Sequence, residues 1–566
     1  MPFPTSRTWL AVVALVGCRP PNSGAPADLL ITNAKVFAAD STDRFAEAVA
    51  VRGNQIVAVG TTAALAAYRG QATTVIDAAG AAVTPGFNDA HVHFVGGSLG
   101  LTQVNLLDID ALSAVKQRIT VFALANPTRP WVLGRGWYYG TFPGGLPTKE
   151  ILDSLVPDRP AAIDCYDGHT QWVNSRALAL AGITRNTPNP PNGVIVKDAR
   201  TGEPTGVLKE GAQGLLDKVL PPVSREEKLA ALKQGIALAH QLGVTSVQEA
   251  GIGAADVELF DALRRAGDLK LRVAVALGVR PGFSEQDLVR LDSIRKAVPD
   301  DDRLKLGAVK MFADGVIESH TAAMLAPYAN RATTGLPEYQ AAEMRRIVTL
   351  LDGRGWQIMI HAIGDAGIRM ALDAFDTAQR VNPAPARGRR HRLEHIEAMS
   401  AADIPRFGRL GVIASMQPFH ANPNQNVLDV WAVNLGPERA GRAWAWKSIR
   451  DAGGRLAFGT DWPVVELDPR PGIHTALTRQ TPNGDPREGF VPGERLDLST
   501  VLRTYTAGSA YASFDETTKG TLAPGQLADL VIWATDIFAA PAAQVKDAGI
   551  KTTIFDGKVV YSRPAP

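Results

Sequence analysis

The chain has 566 residues, of which 45% are hydrophobic and 20% are charged, and this composition excludes a disordered or fibrous protein. Its 59 Lys and Arg nearly balance its 57 Asp and Glu, giving a net charge of +2. No run of five basic residues occurs, so a nucleic-acid partner is not expected. Two cysteines cannot form a disulfide framework in a chain of this length.

The N-terminal residues 1–18 are typical of an export signal. Their apolar stretch TWLAVVALVG is too short to span ~30 Å of hydrocarbon but suits a signal peptide. The sequence LVGC at 15–18 resembles a bacterial lipobox, and residues 19–28 are typical of a flexible tether. We therefore predict an exported lipoprotein that faces the periplasm and contacts the membrane only through a lipid on Cys18. Because Arg19 and not Asp follows the cysteine, the outer membrane is favoured over the inner membrane. The alternative to an export signal is that residues 1–18 form a buried terminal strand that ends in Cys18.

Both ends of the mature chain are rich in short predicted strands. Near the N-terminus, LLITNAKVF and EAVAVRGNQIVAVG are rich in Val and Ile, and Gly53-Asn54 provides a hairpin turn. Near the C-terminus, LADLVIWA and KTTIFDGKVVY have Asp556-Gly557 in the same role. We predict one small β-sandwich domain built from residues 29–84 and 515–566.

Between these ends, short apolar runs alternate with amphipathic helical stretches. Seven runs, from GVTSVQEA to RLAFGTD, fall between residues 243 and 461, and helices are predicted at 226–243 and 341–355. Strands that alternate with helices indicate parallel βα units, and seven or more repeats favour a closed (β/α)8 TIM-like barrel over residues 85–514. Residues 103–230, with their own Pro and Gly clusters, are predicted to be an insertion after the first barrel strand.

Side chains that can bind metal ions follow four of these strands. His91 and His93 are two residues apart, so an extended chain points both imidazoles the same way. His361 ends WQIMI, His395 ends HRLE and Asp461 ends LAFGT. Barrel enzymes carry their reactive groups at the C-terminal ends of the strands. A single His-x-His pair is more often two surface or packed histidines, but four such strand ends together predict a metal centre.

Lys310 lies in LKLGAVKMF on the same strand face as Leu304, Leu306 and Ala308. An ammonium group has no lone pair and cannot bind a metal ion. A neutral amine, however, reacts with carbon dioxide to form a carbamate, whose two oxygens can bridge two ions. The alternatives are a lysine that reaches solvent and a centre with a single metal ion.

Several motifs carry a resemblance to a known family. PGFNDAHVHF, VKMFADGVIESHTAAML, HAIGDAG, RLEHIE and GTDWPV resemble the amidohydrolase superfamily, in particular its family 3 branch, which includes enzymes similar to N-substituted formamide deformylase. DGHTQWVNSRAL and GTLAPGQLADLVIW resemble the same branch, so the resemblance covers nearly everything after residue 28.

The resemblance implies two metal ions and a set of ligands for each. One ion would be held by His91, His93 and Asp461, the other by His361 and His395, with a carbamate on Lys310 between them. Nitrogen and oxygen ligands without cysteine suit zinc, while iron and manganese stay open. The implied reaction is hydrolysis of a C–N bond in a small amide-like molecule, such as an N-substituted formamide or an N-acyl amine. Asp461 would act first as base and then as acid.

Further candidates are expected to contact the substrate. Gly136-Trp137-Tyr138 stands where many members of the branch have Gly-Trp-Asp, and His320 stands where Arg is common. The candidate substrate contacts are Trp137, His169, Trp172, His320 and His420. For the aromatic residues of the insertion, a packed cluster is the alternative.

Two other functions stay open at this point. A cyclic amidohydrolase or a deaminase could use the same barrel chemistry, and an exported lipoprotein could be a non-catalytic solute-binding protein. The sequence also leaves open the substrate, the number of metal ions and the oligomeric state, including a homodimer.

Overall fold

The computed structural model describes residues 25–107 and 109–564. The predicted signal peptide, the first six residues of the predicted tether and Cys18 lie outside the described residues. In the described part of the chain, no helix combines the length and the apolar character needed to cross a bilayer.

Eight parallel strands form a nearly closed barrel. They neighbour one another in chain order and are β1 (Phe87–Val92), β2 (Val244–Ile252), β3 (Arg272–Gly278), β4 (Leu304–Phe312), β5 (Gln357–Ala362), β6 (Arg392–His395), β7 (Ile413–Met416) and β8 (Arg455–Phe458). The C-terminal end of β1 and the segment that follows β8 close the ring, because Asp461 N donates to His91 O at 2.7 Å and His93 N donates to Trp462 O at 2.6 Å. The predicted (β/α)8 barrel is confirmed.

Helices separate the barrel strands and pack outside them. They span Arg225–Gln241, Ala254–Arg265, Glu285–Ala297, Ala341–Gly353, Asp365–Val381, Ile404–Leu410, Trp446–Asp451 and Pro469–Thr478. The helix Arg225–Gln241 begins with a capping box between Ser224 and Glu227. Its buried residues Leu232, Ile236 and Ala239 recur at helical spacing and pack in the barrel's outer core. Strand, helix and strand therefore repeat as the sequence pattern predicts.

Strands from the two chain ends pair in one sheet. Its order is Lys558–Ser562, Ile550–Phe555, Leu530–Trp533, Ala82–Pro85, Lys35–Phe37 and Phe45–Ala46. A second sheet has the order Gln55–Gly60, Ala48–Arg52, Leu29–Thr32 and Thr74–Asp77. Apolar side chains of both sheets share one core, which includes Ile31, Val49, Val83 and Ile554. The small β-sandwich built from both termini is thus confirmed as part of the fold, while the domain bounds stay predictions.

The segment between β1 and the helix Arg225–Gln241 forms a sheet of its own. Its six strands, in spatial order, are Gly193–Lys197, Pro204–Glu210, Thr170–Val173, Ala161–Cys165, Val132–Trp137 and Val104–Asn105. Helices Leu112–Ala125, Lys149–Leu155 and Ser175–Leu180 lie in the same segment. Loops of this sheet, around 164–171 and 210–217, line the cavity at the C-terminal end of the barrel. The segment therefore contributes to the barrel mouth.

Candidate active site

The first three predicted ligands meet at one carboxylate oxygen. His91 Nε2 lies 3.5 Å and His93 Nε2 3.4 Å from Asp461 Oδ1. Ligand atoms bound tetrahedrally at ~2.1 Å from a zinc ion lie about 3.4 Å apart, so these separations match the edges of such a site. Asp461 Oδ1 is buried and has no hydrogen-bond partner among the described residues. Two imidazole nitrogens and one unpaired, buried carboxylate oxygen therefore make a set of three ligand atoms that fits a divalent cation.

The remaining predicted ligands complete the cluster. Lys310 Nζ lies 3.3 Å from His91 Nε2, and the His395 ring lies 4.5 Å from the His361 ring and 5.0 Å from the His91 ring between centroids. We call His91, His93, Lys310, His361, His395 and Asp461 the ligand cluster. Apart from His93, all of its members are buried.

His420 joins this cluster, although the sequence suggested only a substrate contact. Its Nε2 lies 3.8 Å from Asp461 Oδ2, and His395 Nδ1 lies 3.7 Å from the same oxygen. His395, His420 and Asp461 form a second set of ligand atoms close enough to share one ion. His420 Nε2 is buried and has no hydrogen-bond partner in residues 25–107 and 109–564. His420 therefore becomes a candidate metal ligand.

The protonation states of the cluster suit a cation. Burial lowers the pKa values of His91, His361 and His395 well below the usual 6.5, so their lone pairs are available. Burial also lowers the pKa of Lys310 to about 8, which leaves part of it as the neutral amine near pH 7. Burial by itself would raise the pKa of Asp461, but the imidazoles of His91 and His93 outweigh it and hold that pKa well below its usual range.

A buried network inside the barrel orients His91. Its Nδ1 lies 2.6 Å from Glu394 Oε2, and Glu394 Oε1 accepts a hydrogen bond from Arg392 Nε at 3.0 Å. Arg392 also donates to Ala90 O at 2.6 Å and Ser415 Oγ at 2.8 Å. Carboxylates in this position fix the tautomer and the orientation of ligating histidines. Arg392 and Glu394 were not predicted from the sequence; the signal that marks them is two charges at alternate positions of a buried strand.

His169 is contributed by the insertion and faces the cluster. Its ring centroid lies 5.3 Å from that of His361, and its Nδ1 lies 2.8 Å from Glu210 Oε2. Burial opposes the charged form of His169, but the ion pair with Glu210 outweighs it and raises the pKa to about 9. A cationic imidazole is therefore held beside the ligand cluster.

Three predicted substrate contacts do not line the cavity. Trp137 and Trp172 are fully buried in the core of the insertion, where their Nε1 atoms donate to Ile163 O at 3.0 Å and Thr148 O at 2.8 Å. They pack with Phe142 on the sheet face that is covered by helices, so the alternative of an aromatic packing cluster holds. His320 makes an edge-to-face contact with the Tyr328 ring, with Nε2 3.0 Å from Asn330 Oδ1, and is likewise absent from the cavity lining.

A cavity of about 1550 Å³ opens onto the cluster. Its lining includes members of the ligand cluster together with His169 and His420. Concave pockets that hold convergent polar groups are typical of small-molecule sites. The arrangement can therefore bring a small molecule to a metal centre.

Comparison with known proteins identifies the family. A protein-family model described as "Amidohydrolase family" matches residues 74–561 of the sequence. The chain belongs to the amidohydrolase family. This amidohydrolase is 32% identical to protein LONG AFTER FAR-RED 3 of Arabidopsis thaliana, over 96% of its own chain and 93% of that protein. It is 28% identical to N-substituted formamide deformylase of Arthrobacter pascens, over 95% of its chain and 98% of that enzyme.

A solved structure agrees with this assignment. The crystal structure of an uncharacterized metal-dependent hydrolase from Pyrococcus furiosus matches the amidohydrolase with a TM-score of 0.67 and 25% identity, covering 89% of this chain and 98% of that one. The resemblance to the family 3 branch is thus confirmed, and the protein is a metal-dependent hydrolase.

Proposed function

We propose that this amidohydrolase hydrolyses an amide-type C–N bond in a small molecule, such as an N-substituted formamide or an N-acyl amine. The observation that carries the proposal is the convergence of His91 and His93 on the unpaired, buried Oδ1 of Asp461 at the barrel mouth. The relative named N-substituted formamide deformylase, which aligns along nearly the whole chain, supports the class of bond.

Two divalent ions, most simply zinc, are proposed for the centre. His91, His93 and Asp461 would hold one, and His361 and His395 the other, with His420 as a further donor and Lys310 as a carbamate between them. The buried Lys310 lies 3.3 Å from His91 Nε2, so a carbamate on it would lie among the ligands. When bound, such ions acidify the attacking water and polarise the scissile carbonyl.

The side chains supply the proton transfers and the orientation. Asp461 accepts the proton of the attacking water and delivers it to the amide nitrogen, because that nitrogen is a poor leaving group until it is protonated. Glu394 holds His91 in place. His169, which is cationic and lies beside His361, stabilises the negative charge that develops on the carbonyl oxygen.

A product analysis tests the proposal. The metal-loaded protein is incubated with formamides, N-acyl amines, cyclic amides and amino-substituted heterocycles, and the products are separated by chromatography. We expect an amine and an acid, and we expect Asp461→Asn to retain metal and lose turnover. Release of ammonia would instead indicate a deaminase. No turnover on the entire panel would favour the solute-binding function.

We further propose that the protein is exported and lipidated at Cys18, on the basis of the N-terminal sequence alone. The chain offers a matched control, because its other cysteine, Cys165, is buried and its Sγ lies 3.2 Å from Trp137 O. We expect the Cys18→Ala variant to be lost from the membrane fraction of the cells and the Cys165→Ala variant to remain in that fraction. Retention of the Cys18→Ala variant in the membrane would contradict the proposal.

A further inference from the structure

The cavity is acidic, although the chain as a whole is not. Ten Asp or Glu residues line it against four Lys or Arg residues, whereas the complete chain has a net charge of +2. A cleft lined by one sign of charge concentrates ligands of the opposite sign. Away from the ligand cluster and His169, the lining thus favours a cationic ligand over an anionic one.

Two buried carboxylates form the centre of this acidic surface. Glu318 follows β4 and Glu397 follows β6, and their exposed fractions are 8% and 6%. Burial, with the negative charges of Glu397 and Asp167 after it, raises the pKa of Glu318 to about 8. Within residues 25–107 and 109–564, neither Glu318 nor Glu397 forms an ion pair with Lys or Arg; Glu397 Oε1 lies 3.7 Å from His420 Nδ1. Glu318 is therefore largely protonated near pH 7, and a cation bound beside it would favour its ionised carboxylate.

Hydrogen bonds hold both carboxylates in place. Glu318 Oε1 accepts from the Tyr166 hydroxyl and from Asn426 Nδ2, the latter at 3.2 Å. Glu397 Oε2 accepts from Trp431 Nε1 at 2.7 Å. Because these bonds fix the side chains, the acceptor oxygens are in position before any ligand arrives, which lowers the entropic cost of binding.

Two amide oxygens nearby also lack donors. Asn422 and Asn426 line the cavity, are 8% and 3% exposed, and have Oδ1 atoms with no hydrogen-bond partner among the described residues. Buried acceptors are normally paired, so an unpaired one calls for a donor. Carboxylates and amide oxygens together match a cationic group that carries several N–H donors.

This acidic surface lies close to the reacting atoms. Glu397 Oε1 is 3.7 Å from His420 Nδ1, and His420 Nε2 is 3.8 Å from Asp461 Oδ2. One imidazole therefore separates the acidic surface from the proposed acid–base residue. A small substrate with its amide at Asp461 can reach the acidic surface with its other end.

We propose that Glu318, Glu397, Asn422 and Asn426 form a subsite for a protonated amine, amidine or guanidine on the substrate. This inference rests on the proposed function and narrows it to amides that carry a cationic group. An amide with a carboxylate or phosphate at that end would be a poor substrate, because these groups would face unpaired carboxylates.

Binding of a matched ligand pair tests the subsite. Butylguanidinium and butylurea have nearly the same shape and both donate hydrogen bonds, but only the first is charged, and its guanidinium has no lone pair for a metal ion. Their affinities for the full, metal-loaded protein are measured by isothermal titration calorimetry. We expect the cation to bind at least about tenfold more tightly, as charge-assisted hydrogen bonds require.

Three variants localise the effect. Glu318→Gln should lower the affinity for butylguanidinium about tenfold and leave that for butylurea unchanged. Glu338→Gln, which alters another carboxylate of the cavity lining, should change neither. Asn422→Asp adds a negative charge and should raise the preference for the cation, so the test does not depend on the folding of the Glu318 variant.

The outcomes separate this inference from the proposed function. Equal binding of the two ligands to the native protein, or an unchanged preference in Glu318→Gln, would overturn the subsite. Turnover of neutral amides without any preference for the cation would do the same while the hydrolase proposal stands. A clear preference for the cation without turnover on any amide would support the subsite and refute the proposed reaction.

Discussion

Replacing Glu394 by Gln tests whether the metal centre depends on a carboxylate that is not itself a ligand. Glu394 is fully buried, 2.6 Å from His91 Nδ1 and 3.0 Å from Arg392 Nε. Carboxylate partners of ligating histidines contribute about 10–100-fold to metal affinity. We therefore expect the metal Kd of Glu394→Gln to rise by that factor, which corresponds to ~1.4–2.8 kcal/mol.

The same change also has a cost in stability. Arg392 is 1% exposed, and Glu394 is the carboxylate that pairs with it in the described structure. Removing one partner of a buried ion pair typically costs ~3–5 kcal/mol, because the other charge stays buried. The unfolding free energy of the metal-free variant should fall by about this amount, as measured by denaturant titration.

The chain offers a control with the same kind of network away from the cavity. Asp352 is 3% exposed and accepts hydrogen bonds from His391 Nε2 at 3.0 Å and from Arg389 Nε at 2.8 Å. Asp352→Asn should lose comparable stability and keep its metal Kd, measured by competition with a chelator. Equal losses of metal affinity in the two variants, or none in Glu394→Gln, would refute the positioning role of Glu394.

Three further changes probe other parts of the protein. Lys310→Ala should lose one metal equivalent and at least ~100-fold in turnover; one equivalent in both native protein and variant would indicate a mononuclear centre. His169→Gln should lower kcat by about 10²–10³-fold at unchanged metal content, and an unaltered kcat would remove its proposed role. Burial raises the pKa of Asp515, but Lys519 and Lys305 outweigh it, so the folded pKa lies below 3.8. The native protein should therefore be more stable than the Asp515→Asn variant near neutral pH, and this difference in unfolding free energy should shrink as the pH falls below about 4. Denaturant titrations of both proteins at about pH 7 and pH 3 measure the difference.

Much of the barrel follows from local sequence patterns. The run LKLGAVKMF coincides with β4, and the helix predicted at 341–355 is found as Ala341–Gly353. Such elements are predictable because burial on one face imposes a period of two or 3.6 residues. Residues at C-terminal strand ends must then share one face of a closed barrel, which is why His91, His361 and Asp461 could be grouped before any coordinates.

Contacts between loops were decided only by the tertiary structure. Glu318, Glu397 and His420 follow three different strands, and no periodicity relates them, so their proximity depends on how each loop crosses the barrel mouth. The motifs around Trp137 and Trp172 suggested substrate contacts, yet both side chains point into the hydrophobic core of the insertion. Sequence alone determines which elements form and what chemistry their ends carry, because those properties depend on neighbours in the chain. Which polar groups end up unpaired in the cavity depends on packing between distant segments, and that is a property of the folded whole.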